Sequence, residues 1–414
     1  MISLSCILPL ALAAAPAVAG SAVPGGLNSW HYRPRPGRTE SSCRCFPGDP
    51  CWPSADAWSA FNQTLGGKLI ATVPIASVCH NTFPGVSYDA AKCAQVRANW
   101  PRPSFHDVTS HSPMASFFAN ESCDPFAPPD APCSVGSYVQ YAVRATSAYD
   151  YQVTLAFAQA HNIRLVIRNT GHDYLGKSTG AGALALWTQA LKDISIFDYR
   201  SDAYTGKAMK MGAGVLAGEA QDAAHAQGLV VVCGDCPTVG LAGGYTQGGG
   251  TSPLGSTFGL GADQVLEWEV VTPNGQLLVA TPTSNSDLYW ALSGGGGGTY
   301  GAVLSMTVKA HPDMKVAGGS LIFSSQGVDK DAFWGVVKTV LMSLPGFVDA
   351  GGVALWMMVD GIFLMPQLFL PNGSPEKLTS LILDPAIKAL NQAGIQYSKF
   401  DLRCAARENP KLLR

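Results

Sequence analysis

Three glycine-rich segments constrain the fold of this 414-residue chain more than any other feature. The first spans 168–180, the second spans 233–250, and the third contains five consecutive glycines at 294–298. Runs of glycine remove side chains along one path, which lets a flat ring or a phosphate approach backbone N–H groups closely. One such segment alone is equally compatible with a plain turn or a linker. Three of them beside strand-like apolar runs predict a mixed α and β domain with a ligand site.

The residues around these segments alternate between helical and strand-like patterns, and no internal repeat is visible. Between about 136 and 312 the glycine-rich segments stand at the ends of these elements. Beyond 312, longer apolar stretches and a helical pattern predict the start of another α+β unit. The predicted helices are 57–65, 149–161, 219–227 and 384–393, and the predicted strands are 68–73, 164–168, 229–232, 302–308 and 395–397.

The low charge of the chain argues against several classes of partner. It has 27 Lys and Arg against 29 Asp and Glu, a net charge of −2, and 14% charged residues, where soluble proteins carry about 25%. A nucleic-acid binder concentrates basic residues on one face, and this chain spaces them far apart. Its apolar runs at 7–15 and 350–371 are either too short for a bilayer or interrupted by Asp360 and Pro366. The sequence predicts neither a nucleic-acid partner nor a membrane span.

Residues 1–19 have the pattern of a secretory signal peptide. An apolar run precedes small residues at 17–19, which are typical of a cleavage site. No Lys or Arg occurs before Arg33, so the usual positive amino end is missing, and a buried amino-terminal strand is the alternative. We expect a secreted, extracellular protein with N-glycosylation at the sequons that begin at Asn62 and Asn120.

The cysteine pattern agrees with secretion. Seven of the eleven cysteines lie between Cys43 and Cys133, in sequence rich in Pro, Ser and Asn. Such clusters form disulfides in oxidising compartments. A zinc site is the alternative, but the Cys43-x-Cys45 spacing is too tight for the usual structural pair, and no matching pair of Cys or His follows. We therefore predict disulfides and no metal site.

A further glycine-containing turn mimics a nicotinamide-binding unit. Residues 212–218 (GAGVLAG) follow a short strand-like run and lead into a helical pattern, then into a strand that ends near Asp235. The run before the turn is short and carries Lys207 and Lys210, and an exported protein meets almost no NAD(P). We expect this turn to bind no nicotinamide cofactor.

Three motifs in fixed order resemble one family. They are GHDYLGKSTGAGALALWT from Gly171, CPTVGLAGGYTQGGG from Cys236 and DLYWALSGGGGGTYGAVLSMTVKAHP from Asp287. From about 45 to about 400, the chain resembles the berberine bridge enzyme-like oxidases, in particular the fungal secreted ones, of the vanillyl-alcohol oxidase/PCMH flavoprotein superfamily. The resemblance implies an α+β fold with a PCMH-type FAD-binding domain of two α+β subdomains at 136–312. A Cys-rich region at 20–135 would pack on that domain, and an incomplete α+β substrate domain would follow at 313–414.

The resemblance also implies which residues hold the cofactor, FAD. His172 occupies the position of the histidine that bonds the flavin 8α-methyl group, and Cys236 that of the cysteine that bonds flavin C6. The other cofactor-binding candidates surround them on the first two glycine-rich segments. They are Arg168, Asn169, Thr170, Gly171, Ser178, Thr238, Val239, Gly240, Gly244, Gly248 and Gly249.

The reaction that the resemblance implies is hydride transfer from an alcohol, carbohydrate or secondary-metabolite substrate to the flavin, which O2 then reoxidises to give H2O2. We expect a monomer that acts on a small molecule. The family's catalytic base comes from a substrate-domain strand beyond residue 414, so no base is assigned. Tyr245 and Gln247 are the polar catalytic candidates near the flavin. A catalytically inactive, truncated product is the alternative function.

Departures from the family pattern leave further alternatives open. Cys233 lies three residues before Cys236, and a disulfide between them would consume the sulfur that the flavin C6 bond needs. His172 would then be the one covalent anchor. If Cys236 bonds the flavin instead, nine cysteines remain after the signal peptide, and Cys404 is the candidate for the odd thiol. Thr251 stands where fungal relatives commonly have His.

Overall fold

The computed structural model describes residues 43–114 and 121–402. The predicted signal peptide, Asn120 of the second sequon and the odd-thiol candidate Cys404 lie outside the described residues. Three sheets of four or five strands follow one another along the chain, and each has helices associated with it. This is the α+β architecture that the sequence predicts.

The amino-terminal region is a module closed by disulfides. Its elements are α1 (Ala55–Thr64), β1 (Leu69–Ala71), α2 (Ala90–Asn99) and α3 (Pro103–His106). Ser54 and Asp89 cap the two longer helices by accepting hydrogen bonds from backbone N–H groups of the first turn. The predicted disulfides are confirmed. They join Cys45 to Cys51, Cys79 to Cys93, and Cys123 to Cys133.

The first sheet combines strands from two predicted regions of the chain. Its further elements are β2 (Tyr141–Arg144), α4 (Ala148–Ala160), β3 (Arg164–Arg168) and β4 (Ala183–Trp187). The strand order is β1-β2-β4-β3, with β1 antiparallel to β2 and the other pairs parallel. All five residues of β4 are buried, as expected for a central parallel strand. The region 20–135 therefore does more than pack on the domain, because it supplies an edge strand of this sheet.

The second sheet has five strands and is antiparallel throughout. Its region contains β5 (Ile194–Arg200), β6 (Thr205–Gly212), α5 (Ala217–His225), β7 (Leu229–Val230), α6 (Gly255–Phe258), β8 (Val265–Val271), β9 (Leu277–Ala280), α7 (Ser286–Leu292) and β10 (Ala302–Lys309). The strand order is β5-β6-β10-β8-β9. A nicotinamide-binding unit needs a parallel strand–helix–strand arrangement. Because β6 pairs antiparallel with both neighbours, the turn at 212–218 does not build one.

The third unit is a helix-backed antiparallel sheet. Its elements are β11 (His311–Pro312), which pairs with β7, and then β12 (Val316–Ser324), α8 (Lys330–Asp349), β13 (Val353–Val359), β14 (Ile362–Pro371), α9 (Pro375–Leu378), α10 (Asp384–Gln392) and β15 (Tyr397–Leu402). The strand order is β13-β14-β12-β15. Phe323 and Phe363 on the sheet pack with Phe333 and Val340 of α8 in one buried cluster.

The apolar stretch at 350–371 forms the hairpin of β13 and β14. Asp360 and Gly361 both have positive φ, which is the geometry of a two-residue hairpin turn, and Val359 pairs with Ile362 across it. Among the described residues, no helix is long and apolar enough to cross a bilayer.

Candidate functional site

The three glycine-rich segments meet in space. We name them loop A (168–180, after β3), loop B (233–250, after β7) and loop C (294–298, after α7). A β-carbon placed on Gly297 of loop C would lie 2.9 Å from the Cα of Gly244 in loop B. The N–H of Gly296 donates to the carbonyl of Gln247 at 2.8 Å. Backbone therefore packs on backbone between loops B and C, which only glycine permits at this distance.

One hydroxyl lies between the two predicted covalent anchors. Thr238 Oγ1 is 2.7 Å from Nε2 of His172 on loop A and 3.5 Å from the Sγ of Cys236 on loop B. The sequence separates His172 from Cys236 by 64 positions (236 − 172). The fold brings both side chains to the same threonine.

The amino end of α5 holds the part of loop B that carries Cys236. The N–H of Ala217 donates to the carbonyl of Val239, and the N–H of Gly218 donates to the carbonyl of Pro237, both at 2.9 Å. The first N–H groups of a helix lack partners within the helix, so they are available for such bonds. The turn at 212–218 thus supports loop B.

The side chain of Arg168, the first residue of loop A, lies under the rest of the loop and is fully buried. Its Nε donates to the carbonyl of Thr109 at 3.1 Å, and its Nη2 donates to the carbonyls of Ser112 at 2.7 Å and His106 at 3.2 Å. A β-carbon on Gly171 would lie 2.5 Å from Nη1, so the guanidinium touches the loop backbone directly. Burial lowers the pKa of Arg168 to about 10, which still leaves it charged at neutral pH.

The imidazole of His172 is neutral at ordinary pH. Burial is the main cause, and the positive charge of Arg168 is the next, and together they lower the pKa of His172 to about 4. A neutral imidazole has a nitrogen lone pair available, so it can act as a nucleophile or accept a hydrogen bond from the Thr238 hydroxyl.

Comparison with known proteins gives this geometry its context. A family model described as an FAD binding domain matches residues 139–281, which include loops A and B. The FAD-linked oxidoreductase sthB of Phaeosphaeria nodorum is 48% identical over 286 residues, which cover 69% of this chain and 90% of that protein. This chain belongs to the FAD-linked oxidoreductases of the VAO type. The FAD-linked oxidoreductase sor8 of Hypocrea jecorina is 55% identical over 360 residues.

The fold of this family member matches a solved relative. The VAO-type flavoprotein MtVAO615 from Myceliophthora thermophila C1 superposes with a TM-score of 0.81 at 45% identity, over 88% of this chain and 66% of that one. The chain spans 62% of the length of sor8. The PCMH-type α+β fold that the resemblance implied is thereby confirmed.

The polar atoms of loops A and B fit FAD. Within the described part of the chain, several buried side-chain atoms on these loops have no hydrogen-bond partner, and leaving such a group unpaired costs about 1–3 kcal/mol. They include donors suited to phosphate oxygens and acceptors suited to ribose hydroxyls or a ring N–H. The atoms are Arg168 Nη1, Asn169 Oδ1, Asp173 Oδ1, Ser178 Oγ and Gln247 Oε1. A dinucleotide bound against these loops would give them partners.

Several candidates of this VAO-type chain form the wall of the site through their backbone. Leu241–Tyr245 are a kinked segment rather than a regular helical turn, because the φ of −86° and ψ of −134° at Gly243 are not helical. A β-carbon on Gly244 would meet nothing within 4 Å, so this part of the loop faces open space. Of the remaining candidates, Thr170 is buried, Val239, Gly248 and Gly249 are partly exposed or exposed, and all stand on loops A and B.

The two catalytic candidates both bond to the backbone of loop B or its continuation. The hydroxyl of Tyr245 donates to the carbonyl of Thr251 at 3.0 Å, and burial raises its pKa above the usual value. Gln247 is buried, and its Nε2 donates to the carbonyl of Ala242 at 2.7 Å. These two bonds hold the loop in its conformation. The Tyr245 hydroxyl and Gln247 Nε2 are thereby used, whereas Gln247 Oε1 lacks a partner among the described residues.

The predicted alternative of a Cys233–Cys236 disulfide is wrong. Cys233 is a buried free thiol that accepts a hydrogen bond from Gln221 Nε2 at 2.9 Å, and burial raises its pKa to about 12. Cys236 is disulfide-bonded, and its partner is not Cys233. One sulfur cannot hold this bond and a flavin together, so the two are alternatives for Cys236.

Two supports of the site were missed by sequence reasoning. Asp173 Oδ2 accepts from the N–H groups of Lys177 at 2.6 Å and Ser178 at 3.4 Å, which closes loop A on itself. Asp in a glycine-rich segment is a turn signal that could have found this role. The segment 106–112, which binds Arg168, carries no comparable signal, because its contacts are long-range.

Proposed function

We propose that this chain is a secreted FAD-dependent oxidase that takes a hydride from a small-molecule substrate and passes the electrons to O2, giving H2O2. The substrate class is an alcohol, a carbohydrate or a secondary-metabolite scaffold. His172 holds the flavin covalently, and Cys236 provides a second link in chains whose Cys236 sulfur is not held in a disulfide. Membership of the FAD-linked oxidoreductases supports the reaction type. The solved relative named a VAO-type flavoprotein supports the cofactor.

The observation that carries the proposal is the meeting of His172, Thr238 and Cys236. Two side chains able to bond carbon lie on either side of one hydroxyl, at 2.7 and 3.5 Å. An imidazole nitrogen and a cysteine sulfur at one point are the two groups that such attachment uses, and the sulfur is available for it only in chains in which the Cys236 disulfide has not formed. Attachment at two positions fixes the orientation of the flavin ring, and a fixed orientation lowers the entropic cost of hydride transfer from the substrate.

The remaining residues of loops A, B and C bind FAD and orient it. Loops A and B supply the unpartnered polar atoms that suit phosphate, ribose and ring groups. Loop C backs loop B through Gly297, so loop B has little freedom to move away. When bound, FAD supplies the two-electron chemistry. The open space beside Gly244 leaves room for a flat ring against the backbone.

The proposed compartment rests on the disulfides and the signal-peptide pattern, and the proposed partners rest on the charge of the chain. Three disulfides favour an oxidising compartment, and the signal-peptide pattern at 1–19 favours secretion. We propose an extracellular monomer, N-glycosylated at its sequons, whose partners are O2 and a small molecule. The charge pattern speaks against nucleic acid.

The test is retention of flavin after denaturation. We expect the purified chain to keep its visible absorbance in denaturant and to carry the mass of FAD, with the adduct mapped to His172 and Cys236 by digestion. His172→Ala and Cys236→Ala should each lose one link, and the double variant should lose both. Oxygen consumption and H2O2 release are then measured on panels of aromatic alcohols, sugars and polyketide alcohols. A wild-type chain that releases all its flavin on denaturation would refute covalent attachment.

A further inference from the structure

The Arg168 guanidinium is a buried positive charge that makes no salt bridge with a described carboxylate. Among the described residues, no ion pair includes Arg168. Its hydrogen bonds go to backbone carbonyls, at Thr109, Ser112, His106 and Thr170. Burying a guanidinium is costly unless it is well bonded, so its position between two chain segments calls for an explanation beyond stability.

The guanidinium joins loop A to a distant segment. Residues 106–112 belong to the disulfide module, and Arg168 begins the loop that carries His172 four positions later. The backbone is tied at the same place, because Met114 N–H donates to the Gly171 carbonyl at 3.0 Å and Thr188 N–H donates to the Arg168 carbonyl at 2.8 Å. The start of loop A is thereby fixed at two points that precede His172, namely Arg168 and Gly171.

We propose that Arg168 is the positioning residue for flavin attachment at His172. Its planar fork holds segment 106–112 against loop A, so that the imidazole stays at one place beside Thr238. Its fixed positive charge close by disfavours a second positive charge on the imidazole, which keeps the nitrogen nucleophilic. Nε and Nη2 of Arg168 thus act from behind the loop, which is a positioning role beyond that of the cofactor ligand suggested by the sequence, for which Nη1 has no other partner among the described residues. This inference rests on the proposed function, since it assumes a flavin bonded to His172.

Attachment needs a neutral, well-placed imidazole for a chemical reason. One C–H bond of the flavin 8α-methyl group and the imidazole N–H bond break, one C–N bond forms, and O2 takes up the two electrons and two protons as H2O2. A protonated imidazole has no lone pair with which to form the C–N bond. A misplacement of about 1 Å can slow such a reaction about 100-fold.

Lysine cannot replace this arginine. An ammonium group has the same charge, but it is a single point that cannot serve carbonyls from two segments in one plane. Arg164 offers a matched control, because it stands on the same strand four residues earlier and is exposed. Arg168→Lys therefore makes this change beside segment 106–112, and Arg164→Lys makes the same change at the far end of loop A, where the Arg164 guanidinium lies beside Gly180.

The test follows attachment in time. The 414-residue chain is produced in a riboflavin-starved host, FAD is added, and the covalent fraction is measured by intact mass after denaturation across the acidic to neutral pH range. Reversibly bound FAD and the melting temperature are recorded in parallel. We expect Arg168→Lys to bind FAD but to attach it about 100-fold more slowly. We expect Arg168→Met also to bind FAD and to attach it slowly. As the pH is lowered, its attachment rate should begin to fall at a higher pH than that of wild type. Arg164→Lys should match wild type.

The outcomes separate the two proposals. Attachment by Arg168→Lys and Arg168→Met at the wild-type rate and with the wild-type pH profile would overturn this inference while leaving the proposed function intact. If both variants fail to fold, the wild-type pH profile decides, because a rate that already falls at the pH where a free imidazole protonates would overturn the inference. A wild-type chain that never attaches flavin would overturn the proposed function and this inference with it.

Discussion

The side chain of Asn169 fills the space that a β-carbon on Gly240 would occupy. Asn169 Nδ2 also donates to the carbonyl of Ala213 at 2.9 Å, and the Asn169 carbonyl accepts from Trp187 Nε1 at 3.0 Å. One residue of loop A therefore contacts loop B and the turn that precedes α5. Substitutions at Gly240 report directly on how closely the two loops must approach.

Gly240→Ala should destabilise the chain and reduce flavin retention. The added methyl group would collide with the Asn169 amide, and overpacking of this kind costs about 1–3 kcal/mol of unfolding free energy. Urea denaturation and the absorbance retained after denaturation measure the two effects. Gly335→Ala is the control, since a β-carbon there meets nothing within 4 Å, and in mid-helix it should stabilise by about 0.5–1 kcal/mol. Equal behaviour of the two variants would refute the close approach of the loops.

Thr238→Val should lower the fraction of chains with flavin attached at His172. The valine keeps the shape of threonine but removes the hydroxyl that lies 2.7 Å from the His172 Nε2. A lost hydrogen bond of this kind is worth about 1 kcal/mol, and the imidazole gains freedom to rotate away. Peptide mapping quantifies the adduct at each anchor. Thr238→Ser retains the hydroxyl and should behave like wild type, so a similar loss in both variants would argue against the hydroxyl.

Cys233→Ala should leave flavin attachment unchanged, whereas Cys236→Ala should lose one link. The Cys233 thiol is buried, and its pKa is raised to about 12, so it is neither a partner for Cys236 nor a reactive thiolate at neutral pH. Iodoacetamide should label Cys233 only after denaturation. Recovery of a peptide pair joined by a Cys233–Cys236 disulfide would contradict the structure.

Local patterns allowed part of the fold to be predicted, while others of its elements, such as α8 at Lys330–Asp349, were not recognised from the sequence. The strand at 164–168 is confirmed with its predicted bounds, and the helix predicted at 149–161 is observed at Ala148–Ala160. These elements have strong periodicity and clear ends, such as Ser147, which accepts from the Asp150 N–H. The strand predicted at 395–397 is shifted to Tyr397–Leu402, because pairing with β12 rather than local pattern sets its position.

The surroundings of the site could not be predicted in the same way. The motif placed Arg168 among the cofactor ligands, and only the fold reveals that three carbonyls from 106–112 occupy most of its donors. Every residue has a backbone carbonyl, so a contact between a side chain and a distant carbonyl cannot be recognised from the residue types. The edge strand β1 was missed as part of the first sheet for a similar reason, since its pairing with β2 spans about seventy residues, from Leu69 to Val143.

His111 should make the chain less stable as the pH falls. Burial, with smaller effects from the charges of Arg168 and His106, lowers the pKa of His111 from 6.5 to about 3. The unfolded chain therefore binds a proton that the folded chain refuses, so stability is complete above pH 6.5 and is lost as the pH falls towards 3. At about pH 5 the loss from this residue is about 2 kcal/mol, since each unit below 6.5 is worth about 1.36 kcal/mol.

His111→Phe tests this prediction, because it keeps the ring that packs edge-on against Tyr138 at 5.6 Å and removes the titrating nitrogens. The variant also removes His111 Nε2, which is buried without a partner among the described residues, so stability at neutral pH should be equal or higher. Urea denaturation of both proteins at neutral pH and at about pH 5 gives the comparison, with a difference of about 2 kcal/mol expected in the acid-induced loss. Parallel losses in wild type and variant would place the acid sensitivity elsewhere in the chain.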